Sequence, residues 1–139
     1  MTARIRLLLV ALLAMTLPVS GCQFVQDQAG DVVEHAIEEA VAGLDLTDGV
    51  PESFPSGVPL VEGPARGASR STDTGTEWVV LIEADDQGEA AQEAVEGAGF
   101  EEKHAVSTEA GLMAEYSDGA HHLTLIASGT RVVYVIRGV

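Results

Sequence analysis

From residue 65 to residue 139, most of the chain divides into short runs of strand length broken by turn residues. That pattern belongs mostly to strands of a sheet. The clearest run is TEWVVLIEA, residues 76–84. Trp78, Val80 and Ile82 fall on one side of it and Val79 and Leu81 on the other. ARGASRS (65–71) reads as a weaker strand, and STDTG (71–75) as the turn between the two. FEEKHAVST (100–108), LMAEYS (112–117), HHLTLIAS (121–128) and TRVVYVIRG (130–138) follow. Asp118-Gly119 is a hairpin signal, and Ser128-Gly129 marks a second turn.

One helical stretch interrupts the strands. Ala90, Ala91, Ala94, Val95 and Ala98 share a face over residues 87–98. Asp85 or Asp86 is the expected cap, and Gly97 and Gly99 end the helix. The order is β-β-α-β-β-β-β. Runs of strands with a single helix predict an α+β fold: an antiparallel sheet of about five to six strands with the Ala-rich helix on one face. Trp78 is expected under or beside that helix, near Ala94 and Ala98. The competing expectation puts it on the open face as an anchor for a ligand or partner. The chain has one cysteine, so no internal disulfide can brace the fold, and residues 51–139 must rely on an apolar core.

Upstream, DVVEHAIEEAVAGL (31–44) has helical period, with Val33, Ile37, Ala40, Val41 and Leu44 on one face. Asp31 is the expected N-cap, and QFVQDQAG (23–30) reads as a polar tether. Such a short acidic helix is marginal alone and must dock on the domain, a partner or another copy. Residues 45–64 hold Pro51, Pro55, Pro59 and Pro64, which favour extended backbone before them. Val50, Phe54, Val58, Leu60 and Val61 are apolar. The segment is therefore expected to lie along the domain, with Phe54 as its anchor.

The N-terminal region has a different logic. Arg4 and Arg6 precede an uncharged apolar run over residues 7–17. That run is too short to span a bilayer, which takes about 20 residues, and it fits a secretory signal peptide. Val19-Ser20-Gly21-Cys22 comes next and resembles the bacterial lipobox. The resemblance implies cleavage before Cys22, a diacylglyceryl thioether on its sulfur, and a membrane anchor on the extracytoplasmic face of the cell membrane. Two acyl chains hold a protein stably where one does not. The expected division is 1–21 as lipoprotein signal peptide, 22–50 as lipidated Cys, tether and amphipathic helix, and 51–139 as the α+β domain.

The acidic helix, VPESFPSGVPLVEG (50–63), the strand around Trp78 and the helix ending GAGF (97–100) together resemble small actinobacterial surface lipoproteins. That family offers no catalytic residues to transfer. Loss of residues 1–21 would remove two arginines and no acid, taking the formal charge from −15 to −17. Five Lys and Arg would remain, too few to neutralise a nucleic acid. The partners expected are the membrane, through the lipid on Cys22, and an envelope protein.

No GxSxG, phosphate loop or dinucleotide fingerprint is present. Asp85-Asp86 and Glu101-Glu102 are adjacent pairs, the second diverging on a strand. His121 and His122 diverge likewise, and no His pair has the i, i+2 spacing of a strand chelate. No catalytic residue, metal ligand or cofactor is assigned. The surface candidates are His104, Glu115, His121 and Trp78. Two classes of function stand: a non-enzymatic binding or interaction module of the envelope, and a hydrolase or metal-handling lipoprotein whose site is built from distant residues. A deep polar pocket lined by two or more of His104, His121, Glu115 and a serine would favour the second, and a shallow surface with no convergent polar groups the first.

Overall fold

The computed structural model describes residues 24–139, with side chains from residue 31 onward. The expectations for the signal peptide and for Cys22 lie outside the described residues. The elements are α1 (Phe24–Val41), β1 (Thr47–Asp48), β2 (Ala65–Thr72), β3 (Gly75–Glu83), α2 (Gly88–Gly97), β4 (Glu101–Thr108), β5 (Gly111–Ser117), β6 (His121–Ser128) and β7 (Arg131–Gly138).

The strands form one sheet in the order β1-β2-β3-β7-β6-β5-β4, antiparallel throughout. β4 to β7 make a meander that returns to β3, and α2 is the crossover that sends the chain to the far edge. The fold is α+β, with seven strands instead of five to six. The additional strand is β1, which pairs only Thr47 and Asp48 with Gly67 and Arg66. Two residues cannot display an alternation, so the sequence pattern has nothing there to read.

Alternation along each strand sorts the core into two layers. Val80, Ile82, Leu123, Leu125, Tyr134 and Ile136 face one side, with Ala91 and Val95 of α2 packed on them. Val79, Leu81, Ile126, Val133 and Val135 face the other, covered by Val33 and Ile37 of α1. The acidic helix thus docks on its own domain. It starts at Phe24, seven residues ahead of the expected cap, so the supposed tether over 24–30 is helical and Asp31 lies inside the helix. Glu34 on its outer face reaches Arg131 of β7 in an ion pair.

The Pro-rich segment lies on the α2 side of the sheet. Val58 is buried in that layer, and Phe54, Leu60 and Val61 pack partly against it. Val58, rather than Phe54, is its most buried residue. The Val61 N–H donates to the Tyr134 hydroxyl at 3.2 Å. Pro51 lies directly over Gly67 of β2, where a Cβ would stand 2.6 Å from the proline Cδ. A glycine is therefore the residue that lets the segment approach the sheet so closely.

α2 ends as its glycines suggest. Gly99 has φ +96°; its N–H donates to the Glu96 carbonyl, and the Phe100 N–H to that of Val95. This is a Schellman closure, and Phe100 and Val95 join the same apolar layer. The start differs from expectation. The N-cap is Gln87, without a side-chain cap bond. Asp86 instead takes a left-handed turn conformation, φ 51°, and its N–H donates to the Gly129 carbonyl at 2.9 Å. Asp tolerates that region better than most residues.

Candidate functional site

The sheet register brings two of the four surface candidates together and separates the others. His104 of β4 stands directly opposite Glu115 of β5. Both are exposed and lie on the α1 side. A bulge between Glu102 and His104 sets that register. His121 points to the other side, since it alternates with Leu123 and Leu125. Its Nδ1 lies 3.2 Å from Asp118 Oδ2. Asp118 Oδ1 accepts the Ala120 and His121 N–H groups at 2.9 and 2.7 Å. Partial burial raises the Asp118 pKa, but these backbone bonds and the imidazole outweigh it and hold the carboxyl below its ordinary value. The Asp118–His121 contact therefore closes the β5–β6 turn.

Trp78 shares a side with Val80 and Ile82, as the alternation predicts. Its neighbour is not the one expected. α2 lies over β6, two strands away from β3, and Ala98 is exposed. The indole N–H instead donates to Ser53 Oγ of the Pro-rich segment at 2.9 Å, leaving the ring half-buried beneath that segment. Trp78 is a clasp for the segment. Ser53→Ala should cost about 1 kcal/mol, the net worth of one such bond, and red-shift the tryptophan emission. Unchanged emission and stability would show that the clasp is not made.

The most concentrated charge lies where no candidate was named. Glu77 sits on the α1 side of β3, in line with Val79 and Leu81, and is 2% exposed. Arg70 of β2 and Arg137 of β7 flank it in register. Arg70 Nε donates to Oε1 at 2.6 Å, with Nη2 also paired to that oxygen. Arg137 Nε donates to Oε2. Burial alone would raise the Glu77 pKa; the hydrogen bonds and charges of Arg137 and Arg70 outweigh it and hold the carboxyl below its ordinary 4.5. The signal was in the sequence: an acid on an otherwise apolar strand face, with an arginine at the matching place in the hairpin partner.

A concavity of about 320 Å3 opens at the foot of α2, lined by Gly88, Gln92, Ser128, Asp86, Glu89 and their neighbours. It includes none of the four candidates. Ser128 is buried there, and its Oγ accepts the Thr130 N–H at 3.5 Å. Among the described residues no group of three or more His, Cys, Asp or Glu could hold a metal ion. No described helix is long and apolar enough to cross a membrane.

No protein-family model matches the chain, and no curated protein is similar to it. A solved structure described as a GTP binding regulator from Thermotoga maritima is similar at 10% identity and a TM-score of 0.47, over 76% of this chain and 75% of that one.

Proposed function

We propose that the protein is a lipid-anchored module of the cell envelope, held on the extracytoplasmic face through Cys22, that binds an envelope component and does no chemistry on it. The observation that carries the anchor is Val19-Ser20-Gly21-Cys22 directly behind a short apolar run with two arginines ahead of it. The resemblance of the rest of the chain to small actinobacterial surface lipoproteins agrees with it. The binding role is supported by how the polar groups are spread. His104 and Glu115 lie on one side of the sheet and His121 on the other, and the buried charge, Glu77, is saturated by two arginines.

Cys22→Ala should release the chain from the membrane fraction and leave it without acyl-chain label in cells fed a labelled fatty acid. Retention of the variant with the membrane, or labelling equal to wild type, would end the anchor reading.

A further inference from the structure

One row of side chains crosses the sheet beside α1 and gathers cations in an otherwise acidic protein. Arg70, Glu77, Arg137, His122 and Ser117 stand opposite one another in turn on β2, β3, β7, β6 and β5. Directly opposed residues share a face. Arg137 gives Glu77 its Nε, and Arg70 its Nε and Nη2. Among the described residues the remaining guanidinium donors have no protein partner, and the two side chains are 60% and 46% exposed. His122 is exposed beside Arg137. The acid at the end of the row, Glu101, is paired to Lys103 at 2.9 Å, and Glu115, one row nearer α1, faces His104.

We propose that this row is a binding site for a small phosphate-type oxyanion, held by the outer guanidinium nitrogens of Arg137 and Arg70 with the His122 imidazole alongside. Guanidinium forks match oxyanions in geometry and charge. Glu77 fixes both forks before any ligand arrives, so little side-chain freedom is lost on binding. The two arginines and Glu77 carry a net charge of +1. The protein's formal charge of −15 acts weakly here, because exposed charges beyond about 8 Å are screened at physiological salt. The oxyanion is either free in solution or part of a lipid headgroup. The proposal does not depend on the anchor.

The test is a titration of the full chain in a non-ionic detergent, at constant ionic strength, followed by the NMR signals of the Arg Nε–H groups and the His122 ring. Inorganic phosphate should shift the signals of Arg70, Arg137 and His122 saturably. Arg137→Gln should weaken binding about tenfold or more, the loss of one charge-assisted bond. His122→Ala, at an exposed position, keeps the fold and should also weaken it. Glycerophosphoglycerol, the soluble headgroup of a phosphatidylglycerol, distinguishes the sources. Tighter binding than phosphate identifies a headgroup, and equal or weaker binding a free oxyanion. Shifts that chloride reproduces, or binding unchanged in both variants, would overturn the proposal.

Discussion

Ile37→Ala should destabilise the protein by about 2–5 kcal/mol, the usual cost of emptying a buried aliphatic site. The total stability of such a domain is about 5–15 kcal/mol, so the loss should be plain in a urea melt. Ile37 is 1% exposed and packs with Val33 on Val79, Leu81, Ile126, Val133 and Val135. Val32, five residues earlier on the same helix, is 60% exposed, and Val32→Ala should change stability by less than about 0.5 kcal/mol. The pair controls for helix propensity, since both replace a β-branched residue by alanine. Equal effects would mean that α1 does not rest on the sheet. The same contact implies that a segment of residues 51–139 alone would leave that apolar layer open to water.

Glu77→Gln should lower stability by about 2 kcal/mol at neutral pH. Breaking a fully buried pair costs about 3–5 kcal/mol, but both arginines are half in solvent, so the charges left behind are partly rehydrated. The sign with pH follows from the lowered pKa. A carboxyl held below 4.5 contributes its full stability above that value, and loses it as pH falls through the folded pKa. The gap between wild type and Glu77→Gln should therefore be constant above about pH 5 and close in acid. Melts of both proteins across pH 2–8 would check it. A gap that does not narrow at all as pH falls would show that packing, not charge, is what Glu77 supplies.

Six of the seven described strands were legible because each runs for seven to nine residues between turn signals. β1 was not, because it is two residues long and is made by the backbone of β2. The helix in 24–30 was missed for another reason: read as a polar tether, QFVQDQAG was cut off from the four-residue spacing that Val25 and Ala29 share with Val33 and Ile37. The Trp78 expectation was right about the side and wrong about the neighbour. Alternation fixes which way a residue points. It cannot decide whether a helix or an extended segment lies above it, which depends on strand order. The Glu77 row needed three strands in register, and β2 to β7 adjacency through β3 is a long-range fact.

The Arg70–Glu77–Arg137 row also settles how the strands may be aligned. A slip of one residue between β3 and β7 would set Glu77 against Ile136 or Gly138 and turn the side chains of one strand to the opposite layer. A slip of two would place it opposite Val135 or Val139. Either leaves a carboxylate in the interior without its Arg137 partner, a penalty that alternative alignments of Val and Ile alone would not incur. β7 reads RVVYVIRG and β3 reads GTEWVVLIE, two runs so uniformly apolar in the middle that shape discriminates weakly among alignments. The charged row at their ends marks the one pairing in which every interior ion is answered.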